Sequence, residues 1–221
     1  MHRLICYFSL ILFTNKSYGV GYSHALARGS PLSFELYAGM ASINLTKTGN
    51  PAVSESGTGI QAGFSGGFYV RNSVTLIGTL SLLSASTKEG SKTLGHFEQG
   101  IDFENQKKSS YYFRYTLGWQ LYYLTSKPTE YGYNALTGVF LGLNWDFDSF
   151  IIYTKLSPIF NSGTIQSSNI NYNLGFKYRI GNKTGYPLYL NAEFNMIKFY
   201  SSITLNESQV SQTLITVSKI F

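Results

Sequence analysis

Three ionisable side chains stand at even spacing between Leu94 and Phe103: His96, Glu98 and Asp102. In an extended segment, residues two and four apart share a face. A histidine beside two carboxylates has the residue types of general acid–base catalysis, and no other constellation in the chain does. The same three residues are equally well read as ordinary polar positions of one strand face. No Asp-x-His pair accompanies them, and the other acidic pair, Asp146 and Asp148, falls in a different part of the chain. His24 beside Ser23 precedes the first strand, so it lacks the place in a lipid-facing wall that a lipid-A deacylase would need. Metal chemistry has still less to draw on, because past the first nineteen residues only His24 and His96 remain and no acidic loop cluster appears. No catalytic, cofactor-binding or metal-ligating residue is therefore assigned.

The elements that would position these side chains begin after a leader. Met1, His2 and Arg3 give a short basic start, and Leu4 to Phe13 is apolar apart from Ser9 before Asn15 and Lys16 end the run. That is the length of a signal-peptide core and well short of the ~20 apolar residues a spanning helix requires. Small residues at Ser17 and Gly19 predict a signal peptide over 1–19, with cleavage after Ala27 as the alternative and 20–32 as a short lead. Cys6 is the only cysteine, and it lies inside the segment expected to be removed. The mature chain would then carry no disulfide, thiol nucleophile or cysteine metal site, which suits an oxidising compartment.

Composition narrows the class further. Of 221 residues only 13% are charged, where a soluble domain carries about a quarter. Tyrosine and phenylalanine number 18 and 16, and glycine 22 against 5 prolines. Removing residues 1–19 lowers the basic count from 17 to 15 against 11 acids, a net charge of +4. The basic residues are scattered, with only Lys107 and Lys108 adjacent, so no nucleic-acid footprint is read from them.

From Ser33 onward the chain alternates with a period of two. Tyr111 to Tyr123 is the strongest instance: Phe113, Tyr115, Leu117, Trp119 and Leu121 fall on one face, and Arg114, Thr116, Gly118 and Gln120 on the other. Ile170 to Ile180 repeats it, with Tyr172, Leu174, Phe176 and Tyr178 opposite Asn171, Asn173, Lys177 and Arg179. Further strands are predicted over 33–45, 60–71, 74–82, 133–146, 150–158, 188–196 and 208–221, joined by short turns at Arg71-Asn72 and Phe147-Asp148-Ser149. Leu94–Phe103 is added on parity, since a barrel with both strand termini on one side of a membrane needs an even count. The polar stretches Thr46–Gly57, Ser84–Thr93, Ser126–Tyr131, Asn161–Ser168 and Ser201–Glu207 read as outer loops, where a host or surface ligand would be met.

Alternation that persists for 9–11 residues matches a tilted strand crossing a bilayer, and a membrane permits no open sheet edge. A soluble lipocalin-like barrel would have to enclose Phe113, Tyr115, Trp119, Tyr172, Phe176 and Tyr178, more bulk than a narrow interior holds. Turned outward, they form a lipid-facing band. The opposite face then gathers Glu35, Arg71, Arg114, Lys155, Lys177, Arg179 and Glu193 in the lumen, with inward glycines leaving room for long side chains. The fold expected for 33–221 is all-β: a transmembrane antiparallel up-and-down barrel of ten strands, with eight as the alternative.

The signal peptide, the alternating strands, the short turns on one side and the closing Phe221 resemble the small outer-membrane β-barrels of Gram-negative bacteria, the OmpA-type and opacity-protein-type group. The resemblance covers essentially the whole mature chain and is one of pattern. It implies a monomer in the cell outer membrane, in contact with lipid and lipopolysaccharide and inserted by the barrel-assembly machinery. In that group the assembly signal is a final phenylalanine preceded by alternate apolar residues; Ile215, Val217 and Phe221 match it, and Thr213 and Lys219 depart from it. It also implies a non-enzymatic structural or surface-interaction role with no cofactor and a lumen plugged by charged and polar side chains. A narrow channel is the alternative. An omptin-like or lipid-modifying hydrolase is the second alternative, because omptin-type barrels use aspartates and a histidine near the outer rim.

Overall fold

The structure, a computed structural model, describes residues 32–48, 52–71, 74–104, 111–125, 135–147, 149–161, 164–180, 188–201 and 206–220. The expected signal peptide and most of the lead, with Cys6, Ser23 and His24, lie outside the described residues, as do Asp148, the stretch 126–131, Phe221 and the side chain of Arg71. Ten strands run in order: β1 Leu32–Lys47, β2 Val53–Arg71, β3 Val74–Thr87, β4 Gly90–Glu104, β5 Tyr111–Leu124, β6 Ala135–Phe147, β7 Phe150–Asn161, β8 Thr164–Ile180, β9 Leu188–Ser201 and β10 Asn206–Ile220. Each pairs antiparallel with its sequence neighbours, and β10 closes on β1 along Glu35↔Ile220 to Lys47↔Ser208. The fold is the expected closed up-and-down barrel with ten strands rather than eight, and the segment added on parity lies within β4.

Phe34, Leu36 and Met40 point outward from β1 while Glu35, Tyr37 and Ala41 point inward. The same alternation holds on β5 and β8, whose outward apolar side chains stay exposed because they face no protein. Among the described residues, register slips at two places: between Tyr69 and Arg71 on β2, and between Pro158 and Phe160 on β7. Proline has no N–H for the ladder, and a bulge is where a strand tolerates it.

Several strands are longer than their hydrophobic pattern suggests. The stretch 84–93, expected as an outer loop, is strand apart from a two-residue turn at Lys88 and Glu89, which Gly90 closes at φ 116°. Of the stretch 161–168, β7 takes Asn161 and β8 starts at Thr164, while β1 and β2 leave only 48–52 between them instead of 46–57. The reason is physical. Beyond Met40 on β1 and Leu82 on β3, the outward residues become Ser42, Asn44 and Thr46, and Ser84 and Ser86. The pleat continues, but the apolar-out signal that marks a membrane strand stops.

Inside, the change is the reverse. Toward the end bearing the 48–52 turn, the interior is mostly apolar: Ile43, Leu45, Leu83, Leu94, Leu124, Leu136, Ile197 and Val210 are buried and packed together, and a buried pair, Lys92 and Glu55, lies among them at 3.8 Å. Toward the end where β1 begins and β10 stops, the lumen is polar and charged, with Glu35, Asp102, Arg114 and Asp146 buried. The barrel therefore has two interiors stacked along one axis.

Candidate functional site: the barrel lumen

At the lower end, adjacent strands bring three charges together because their register places Asp102 opposite Thr116 and Asp146 opposite Tyr112. Arg114 Nη1 donates to Asp102 Oδ2 at 3.1 Å, and Arg114 Nη2 lies 3.7 Å from Asp146 Oδ2. Thr116 Oγ1 donates to the other Asp102 oxygen at 2.7 Å. A guanidinium between two carboxylates uses its planar fork in the way a single ammonium could not.

Lys177, Lys155 and Tyr153 reach partners on strands that are not their neighbours, whereas Asn173 meets Glu193 on the adjacent strand. Lys177 Nζ on β8 donates to both Glu35 oxygens on β1, at 2.7 and 2.8 Å. Lys155 on β7 is ion-paired with Glu98 on β4. Glu193 on β9 accepts from Tyr153 OH at 2.6 Å and from Asn173 Nδ2 at 2.7 Å. Burying an ion is costly unless partners replace its water, and each of these acids has one or more within the barrel.

Glycines make the crossings sterically possible. A Cβ on Gly175 would collide with the Tyr153 ring, and one on Gly118 would sit 2.7 Å from the Phe140 ring. Tyr153 thus reaches Glu193 over a gap in the wall. Between the charged pairs a cavity of about 130 Å³ remains, lined among others by Glu98, Tyr153, Lys155 and Glu193. It has room for several waters.

The acid–base constellation does not assemble as a unit. His96 stacks on Tyr122 with ring centroids 4.3 Å apart, and among the described residues its Nε2 has no hydrogen-bond partner although Glu98 Oε2 lies 3.6 Å away. That same Glu98 oxygen is the one held by Lys155, and Asp102 belongs to the Arg114 cluster. Among the described residues there is no group of three side chains suited to hold a metal ion. Among the described residues, the arrangement neutralises charge and fills the lumen.

Of the lumen charges read from the sequence, Glu35, Arg114, Lys155, Lys177 and Glu193 meet inside the barrel, and Arg179 is half-buried on the inward face of β8. Tyr115, Trp119, Phe176 and Tyr178 lie on the outer face, 40–50% exposed, with Phe113 and Tyr172 half-buried on that face. Ile215 and Val217 also face outward. Sequence reasoning missed the pairing of Glu98, Asp102 and Asp146 with lumen cations, the inward Phe140, and the apolar upper interior. Parity could have found the last two: Phe140 lies between inward Gly138 and Gly142, and Ile43 and Leu45 continue the face of Glu35.

No protein-family model and no curated protein matches the chain. Among solved structures it is similar to the outer membrane protease OmpT from Escherichia coli, with a TM-score of 0.56 and 7% identity over 86% of this chain and 96% of that one. It also aligns with the attachment invasion locus protein Ail of Yersinia pestis, at TM-score 0.38 and 9% identity over 86% and 98% of the two chains. A Pseudomonas aeruginosa FadL homologue aligns at TM-score 0.39 and 9% identity over 86% and 90%. At these identities the likeness is one of fold alone. That fold is the Gram-negative outer-membrane β-barrel in general, and not the OmpA-type and opacity-type group in particular.

Proposed function

We propose that the chain is exported with a cleaved signal peptide and stands in the cell outer membrane as a non-enzymatic barrel with a structural or surface-interaction role. The observation that carries this reading is the filled lumen. Arg114, Lys155 and Lys177 are each paired with a carboxylate inside the barrel, and a mostly apolar layer lies above them. The strand termini face the periplasm, so that layer lies on the outer side. Outer-membrane lipid and lipopolysaccharide surround the barrel, the assembly machinery reads the closing strand at Ile215, Val217 and Phe221, and any surface ligand meets the outer turns of a monomer. Planar-bilayer recording of the refolded protein tests the closed lumen: the expected trace is flat, and discrete conductance steps would overturn it.

The cavity of about 130 Å³ beside Glu35, Glu98, Lys155 and Lys177 gives a second reading, a narrow channel, its specific support. The same recording decides between the two. An outer-membrane hydrolase draws on His96 alone, and it is discarded if the unmutated protein shows no peptidase or lipid-A hydrolysis.

A further inference from the structure

The outer surface above the apolar belt is a hydroxyl-rich wall. Ser42, Asn44 and Thr46 on β1 stand directly opposite Thr58, Ser56 and Ser54 on β2, all exposed. The rows continue sideways: Thr213 of β10 faces Ser42, and Ser86 of β3 faces Thr58. Four strands thus present polar groups in a grid, spaced ~4.8 Å between strands, and the three positions on β1 extend ~13 Å along it. None of the described outward positions of β1, β2 and β3 on this wall carries a charge. At its border, Lys198 and Glu207 neutralise each other at 2.8 Å.

A surface meant only for water does not look like this. Solvated surfaces carry roughly a quarter to a third charged residues, and exposed sheet is normally guarded by lysine or glutamate. The wall is backed by buried side chains, the apolar Ile43, Leu45 and Leu83 and the paired Glu55, which hold its strands in place. It continues the lipid-facing belt without a break in register from Met40 to Ser42. Whatever projects from the surrounding leaflet next to the belt is therefore what lies against it.

We infer that this wall is a docking surface for the oligosaccharide of lipopolysaccharide, contacted through neutral hydrogen bonds. The inference rests on the outer-membrane reading and its orientation. Sugar hydroxyls donate and accept, as serine, threonine and asparagine side chains do. The phosphates beneath the sugar would call for lysine or arginine, and an acidic wall would repel them; this surface has neither sign. Contact is made to the carbohydrate and not through divalent cations bridging two anions.

The test places the full mature chain in vesicles containing either lipopolysaccharide with its core oligosaccharide or lipid A alone, and measures the temperature at which heat-modifiable gel mobility is lost. The sugar-bearing membrane should raise that temperature by a few degrees, and a chelator should leave the rise unchanged. The triple variant S42A/S56A/T58V, altered only at exposed positions, should fold in detergent like the parent and lose the rise. Equal temperatures in the two membranes overturn the inference, and so does a rise that the chelator abolishes, which would assign the contact to bridged phosphates. Failure to insert in either membrane overturns the outer-membrane reading itself, a result distinct from the other two.

Discussion

The lower and upper halves of the barrel use one backbone pattern with opposite chemistry. On β1, Phe34, Leu36 and Met40 face out while Glu35 and Tyr37 face in; a few residues on, Ser42, Asn44 and Thr46 face out while Ile43 and Leu45 face in. Register runs unbroken through the changeover on both sides of β1, so no residue slips to exchange the faces. The surroundings decide which face is apolar. Against lipid the outside must be hydrocarbon and the lumen can hold ions, whereas above it the outside must be polar and the inside can be packed like a soluble core. The lower half thus depends mainly on completed ion pairs, and the upper half, where one buried pair, Lys92 and Glu55, sits in an apolar layer, mainly on shape.

The two halves should accordingly break in different ways. The largest effect is expected for Arg114→Met, which strands Asp102 and Asp146 without their shared cation; a loss of about 3–5 kcal/mol, read by urea unfolding in detergent micelles, is the expected outcome. Restoring neutrality with Asp102→Asn and Asp146→Asn in the same chain should recover much of it, and no recovery would mean that packing rather than charge holds the lower half. In the upper half, Leu83→Ala opens a cavity in the apolar layer and should cost about 2–5 kcal/mol. There Leu83→Met should be nearly neutral, since shape-conserving apolar exchanges usually cost less than ~1.5 kcal/mol.

The outer faces provide a direct contrast. Leu117→Arg, on the belt, should destabilise the membrane-inserted barrel by about 2–4 kcal/mol, while Ser56→Lys, on the wall, should stay within ~0.5 kcal/mol of the parent in detergent. Equal costs at the two sites would remove the boundary drawn between Met40 and Ser42. Gly175→Ala is intermediate, at about 1–3 kcal/mol, because the added methyl drives Tyr153 off its place beside Glu193. Tyr153→Phe in the same background should then add little, and a large further loss would show that the contact with Glu193 had survived.

Particular elements show how far the chain could be read without coordinates. β5 and β8 were legible because aromatic and aliphatic residues mark every outward position, and β4 was legible only through parity, its outward face being diluted by Gly95 and Gln99. The extension at 84–93 was not, since a strand with serine outside and leucine inside has no hydrophobic periodicity that points to lipid. The lumen charges were visible one by one, but Lys155 meets Glu98 and Lys177 meets Glu35 across strands that are not sequence neighbours.

By itself the sequence determined the period of two, the apolar belt, the even strand number and the presence of charge on the inner face, because each follows from side chains at fixed local spacing. Closure of β10 on β1 decided the rest. It selected the ion pairs, split His96 and Glu98 from Asp102, and placed Ile43, Leu45 and Leu83 in one packed layer. Those outcomes depend on which residues share a height inside a closed cylinder, and local spacing along a strand carries no information about that.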